Sequence, residues 1–166
     1  MTRRTTSVNS PKRRGKRILA VIALISVVVA VVVAVRSRRL PELTQARFDA
    51  ACARWKQHAP DSYEIEVKVT GMQPGVYGVV VDNKLPTSAT FDGRPLTRPR
   101  TFGTWAVTGM FDTLAKDLET NAANGYLMLG AELDEATGIP LRYERIEVRT
   151  GAHQALKWVV TKFEAR

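Results

Sequence analysis

Residues 18–35 form an unbroken run of 18 residues without a charge, and Ser26 is their only polar side chain. Wound as a helix, the run spans about 27 Å, close to the ~30 Å hydrocarbon core of a bilayer. Eight of the 18 are Val, a middling helix former in water. In lipid that handicap fades, because each unpaired backbone group there costs several kcal/mol and a helix satisfies them all. The competing reading, a core helix of a soluble domain, is disfavoured by basic flanks on both sides. The run is therefore read as a transmembrane helix.

The flanks set its orientation. Arg3, Arg4, Lys12, Arg13, Arg14, Lys16 and Arg17 precede it, against Arg36, Arg38 and Arg39 after it. The larger basic cluster stays in the cytoplasm, which makes the expected protein single-pass in the cell membrane with an extracytoplasmic C-terminal domain. A cleaved signal peptide is the rival. Its apolar region is shorter and ends in a small-x-small site. Here Val32-Val33-Ala34 is a weak match with Arg36 close behind, and no cysteine closes the run to signal a lipid anchor. An uncleaved signal anchor is favoured. Residues 1–17 read as a disordered basic tail, drawn to anionic headgroups by ~1 kcal/mol per basic residue. Residues 36–41 read as a linker and 42–166 as the exported domain.

The net charge of +9 belongs to the N-terminus. Residues 1–39 hold ten basic and no acidic residues, whereas 40–166 hold 15 basic and 16 acidic. The lipid bilayer is thus the expected partner, and nucleic acid is not. One cysteine, Cys52, and two histidines leave no disulfide framework or Cys/His metal centre to assign; no cofactor is expected.

Beyond Leu40 the periodicity predicts α+β structure. Phe48, Ala51, Cys52 and Trp55 fall on one helical face between Thr44 and His58, and Pro60 stops that helix. Tyr63, Ile65, Val67 and Val69 alternate with Glu64, Glu66 and Lys68 as a half-buried strand. Residues 76–81 and 85–91 read as two more strands, and 92–103 as a loop with two prolines and three arginines. Thr108 is placed as the cap of a second helix, with an apolar stripe of Phe111, Leu114, Ala115 and Leu118; Asn124-Gly125 breaks it. Strands follow at 126–133, 141–149 and 155–163. A slip in alternation between Tyr143 and Ile146 reads as a bulge. The expected fold is an α-β-β-β-α-β-β-β domain behind a transmembrane helix, an antiparallel six-stranded sheet with two helices packed on one face. A 63-residue offset aligns Phe48-Asp49 with Phe111-Asp112, Tyr63 with Tyr126 and Gly75 with Gly138, suggesting a tandem repeat of 42–91 and 108–163.

Trp55, Ser62-Tyr63 opening a strand, Val79-Val80-Val81-Asp82-Asn83, Met110-Phe111-Asp112 and Thr137-Gly138-Ile139-Pro140 together resemble a domain-of-unknown-function family of small exported or membrane-anchored bacterial proteins. The resemblance covers nearly all of residues 45–163. It implies an exported α+β domain and no assigned activity. Many members carry Cys-x-Cys after the first strand; Val69-Thr70-Gly71-Met72 stands there in this chain, so any role of that pair does not carry over.

No catalytic, cofactor or metal residue is assigned. Cys52 lies on an apolar stripe and reads as a small hydrophobe. His58 suits a helix C-terminus and His153 a hairpin turn; neither has a partner at ligand spacing. Glu64 and Glu66 share a strand face beside Lys68, which reads as a solvated surface. Asp134 and Glu135 read as turn residues. Phosphate-cradling, Gly-x-Ser-x-Gly and His-Glu-x-x-His motifs are missing. The best partner-binding candidates are Arg94, Arg98 and Arg100 in the proline-stiffened loop, with Trp105 just beyond, suited to an envelope protein or an anionic ligand. The face of the sheet away from the helices is the other candidate surface, and Trp158 fits either face.

The favoured function is a membrane-anchored extracytoplasmic binding or structural domain. The alternative is an envelope hydrolase, which requires at least two of His58, Asp61, Glu64, Glu66 and His153 to converge. A third places the function in the basic tail.

Overall fold

Thr44 opens the first helix, α1 (Gln45–His58), by accepting the Arg47 amide on its hydroxyl. The computed structural model describes residues 40–149 and 152–166, and the apolar run lies outside them. The elements after α1 are strands β1 (Tyr63–Gly71), β2 (Gly75–Asp82), β3 (Leu85–Phe91) and β4 (Arg94–Pro95), then a 3-10 helix (Pro99–Trp105) and helix α2 (Val107–Asn124). Strands β5 (Leu127–Leu133), β6 (Pro140–Arg149) and β7 (Ala152–Ala165) complete the order. All strand pairs are antiparallel, in the order β4-β3-β2-β1-β7-β6-β5.

Three expectations are corrected. The sheet has seven strands, not six, because Asp92 and Gly93, both at positive φ, turn the chain back so that Arg94–Pro95 pairs with β3. A proline is tolerated there because β4 is an edge strand. The loop then winds into the 3-10 helix, which Pro99 opens and which the Thr101 amide and hydroxyl tie back to the Arg98 carbonyl. The α-β-β-β-α-β-β-β order with two helices therefore gives way, among the described residues, to seven strands and three helices. The expected N-terminal transmembrane helix falls on residues outside those described; none of the helices among the described residues is long and apolar enough to cross a membrane.

Tyr63 locates both long helices. Its ring meets Trp55 of α1 edge-on at 5.7 Å, and its hydroxyl accepts the Val107 amide at the start of α2. Tyr63, Ile65, Val67 and Val69 of β1 are at most 3% exposed on that side. One register row across the sheet, Ala131–Tyr143–Trp158–Val69, is almost wholly buried. The opposite face carries a mesh of ion pairs: Glu132–Arg142, Glu144–Lys157 and Glu64–Lys162.

The 63-residue offset pairs unlike positions. It sets Tyr63 on Tyr126 and Ile65 on Met128, yet Ile65 is 2% exposed and Met128 60%. On β5 the buried positions are Leu127, Leu129 and Ala131, one residue out of phase.

The β6 slip is not a bulge. Pairing with β7 runs without a shift from Arg142 to Arg149. Tyr143 and Arg145 simply share the helix-facing side, and Arg145 is tolerated there because it reaches Asp117 on α2.

Both edges of the sheet are blunted. Residues 41–43 run along β5, where the Leu43 amide donates to the Leu129 carbonyl and the Ala131 amide to Pro41, each at 2.9 Å. The opposite edge is the two-residue β4 with Pro95. Residues 40–166 make a single compact unit with its own core.

Candidate functional site: a groove between the helices

The apolar stripes of α1 and α2 converge but do not close. Phe48 and Phe111 touch edge-on at 5.9 Å. Beside that contact lies a cavity of about 440 Å³, walled by Cys52, Trp55, Phe111 and Ala115 and floored by Tyr63 and Val81. This is within the ~300–1,000 Å³ range of small-molecule sites. Lys56, Lys84 and Asp112 also line it; Lys84 pairs with Asp61 at 3.2 Å, both well exposed.

The start of α2 faces the same groove through Ala106 and Thr108. Thr108 was expected to cap this helix. Instead Ala106 holds the cap position, with no side-chain cap bond and no acidic residue in the first turn. The Val107 amide finds its acceptor across the structure, in the Tyr63 hydroxyl at 3.2 Å. Burial raises the Tyr63 phenol above its ordinary value, against the opposing effect of the Val107 hydrogen bond, so it remains protonated. The hydroxyl proton has no acceptor among the described residues.

A second cavity, of about 460 Å³, is polar and lies on the other side of α2. Its wall holds Asp117, the only buried charged residue among those described. Asp117 accepts from the Tyr143 hydroxyl at 2.7 Å and from Arg145 Nη1 at 2.9 Å. Burial first, and then the charge and hydrogen bond of Asp117, raise the Tyr143 phenol far above its usual range, with Arg145 opposing. A phenol so held cannot serve as a base near neutrality. The guanidinium is committed to Asp117 as well, so the trio binds α2 to β6.

The residues singled out in the sequence are scattered. Arg94, Arg98 and Arg100 are exposed and enter no ion pair among the described residues. Trp105 is set apart from them: it is half-buried, its ring 5.1 Å from Tyr77 and 5.6 Å from Trp158. Trp158 itself lies on the helix side, 1% exposed. Glu64 is engaged by Lys162 and Arg166, Glu66 by the Thr161 hydroxyl and Asp61 by Lys84. His58 ends α1, and the side chain of His153 lies outside those described. Glu64 and Glu66 stand on the ion-paired face, away from the groove. Among the described residues, no three His, Cys, Asp or Glu side chains form a metal-binding group.

Cys52, a small hydrophobe by its stripe position, stands in the groove wall, which the sequence does not show. Burial pushes its thiol up; Lys56 opposes this and Asp49 adds to it. Its stripe position could be read from the sequence, but the opening between the stripes depends on how the helices cross. Comparison with family models, curated proteins and solved structures gives no match.

Proposed function

We propose that the chain is a binding domain held at the outer side of the cytoplasmic membrane by the apolar run of residues 18–35. The carrying observation is the open apolar groove between α1 and α2. The carboxylates that an envelope hydrolase would draw on are instead spread over the far face and a turn, each already engaged. A domain that leaves aromatic surface uncovered while engaging these carboxylates elsewhere is suited to holding a ligand rather than transforming one. The basic flanks of the run support the orientation.

Ala115→Trp tests the reading, because Ala115 is exposed on α2 and its enlarged side chain would fill the groove. The full chain should enhance the fluorescence of anilinonaphthalene sulfonate, and the variant should lose that enhancement with its circular dichroism unchanged. Dye binding that ignores the filled groove would overturn the proposal. Protease added to spheroplasts should degrade the C-terminal domain; its protection would reverse the orientation.

A further inference from the structure

We infer that the groove binds a free, single-chain amphiphile with a carboxylate head, of the size of a medium-chain fatty acid; this rests on the reading of the groove as a binding site. Three independent features meet in one cavity. The walls are apolar and largely aromatic, with Phe48, Trp55 and Phe111 among them. A volume of about 440 Å³ has room for one chain and not for a two-chain lipid. The polar groups at its edge are predominantly donors.

Those donors define the head. Tyr63 is 3% exposed, lines the cavity, and has already used its oxygen to accept the Val107 amide. What it has left is one proton, buried and without a protein acceptor among the described residues. A hydrogen-bond acceptor in the groove would satisfy it. The N-terminus of α2, with no acidic residue in its first turn, lies beside it, where an anion is favoured by the helix dipole. Lys56 supplies a full positive charge at the rim and enters no ion pair among the described residues. Asp112 is the one carboxylate on the lining, and it sets a limit on how much negative charge the site accepts. A singly charged carboxylate fits this balance better than a multiply charged phosphate.

Cys52, the only thiol in the chain, lies in the groove wall and reports its occupancy. The rate of its alkylation by N-ethylmaleimide would be followed in the full chain in phosphatidylcholine nanodiscs, with octanoate, octanol or octylammonium added. Octanoate should protect Cys52 at concentrations about tenfold lower than octanol, as expected for one hydrogen bond to a charged group, and octylammonium should protect least. Tyr63→Phe and, separately, Lys56→Gln should bring octanoate down to the level of octanol while leaving protection by octanol intact. That retained protection shows that the variants have kept the groove. Equal protection by octanol and octanoate, or stronger protection by octylammonium, overturns the carboxylate assignment and leaves the binding-domain reading standing. Protection in phosphatidylglycerol nanodiscs without any additive overturns the choice of a free amphiphile over a bilayer lipid. No protection by any of the three probes overturns both the inference and the reading beneath it.

Discussion

The hydroxyl of Tyr143 donates to the carboxylate of Asp117 at 2.7 Å, in a part of the core where Asp117 is 4% exposed and Tyr143 1%. The same carboxylate takes Arg145, so one α2 side chain holds two neighbours on β6. Asp117→Ala leaves a guanidinium and a phenol without their partner and should cost about 3–5 kcal/mol. The double variant Asp117→Leu/Arg145→Met should recover most of that loss, because apolar packing replaces a buried ion pair at little net cost. Urea unfolding of the two variants checks both; a loss below about 1 kcal/mol for Asp117→Ala would show that solvent already shares the pair.

Alkali should unfold the domain through its phenols. Tyr63, Tyr77 and Tyr143 are all raised above the ordinary 10.0, chiefly by burial. A phenol raised on folding contributes stability that is complete below its unfolded value and is lost as pH climbs from there toward the folded value. The unfolding free energy should therefore fall above about pH 10, and Tyr143→Phe should shallow the fall. Denaturant titrations across the alkaline range would test it.

Acid acts on a turn. The Thr137 hydroxyl and amide hold the Asp134 carboxyl below its usual 3.8, against a smaller effect of burial. A carboxyl lowered on folding contributes stability above its unfolded value, which is lost as pH drops through the folded one. Thr137→Val should raise the Asp134 value toward 3.8 and remove part of the acid limb, as followed by carboxyl NMR titration.

Gly138 should tolerate no side chain. Its φ is +82°, and a Cβ there would stand 2.2 Å from the Ala51 carbonyl oxygen and 3.0 Å from the Trp55 nitrogen. The glycine lets the β5–β6 turn press against the backbone of α1. Gly138→Ala should destabilise by about 3 kcal/mol, combining left-handed strain with displacement of the helix. A thermal melt indistinguishable from that of the natural chain would refute this.

The arginine loop should divide in two. Trp105→Ala removes a ring packed between Tyr77 and Trp158 and should cost about 3 kcal/mol. Replacing Arg94, Arg98 and Arg100 together by Ala should change stability by no more than about 0.5 kcal/mol per site. If the arginines proved the costlier set, they would be engaged in the fold.

Local pattern was readable and crossing geometry was not. The stripe of Phe48, Ala51, Cys52 and Trp55 follows from helical period, and the alternation from Tyr63 to Val69 from strand period, because burial on one side writes both into the sequence. Arg145 broke the second rule. A charge at an inward position looks like a slipped register until its partner, Asp117, is found 28 residues away. The start of α2 was misread for the same reason, since Tyr63, 44 residues upstream, does what a local Thr108 cap was expected to do. Edge strand β4 was hidden by Pro95, a residue that argues against a strand everywhere except at a rim. The groove left no local trace, since each of its walls is an ordinary amphipathic stripe.

The lacing of residues 41–43 along β5 and the proline-bearing stub at the far rim leave the sheet no long, regular selvedge. Unfinished rims are where separate molecules knit into fibrils when crowded. Crowded copies of this domain should therefore collide often and still part as individuals.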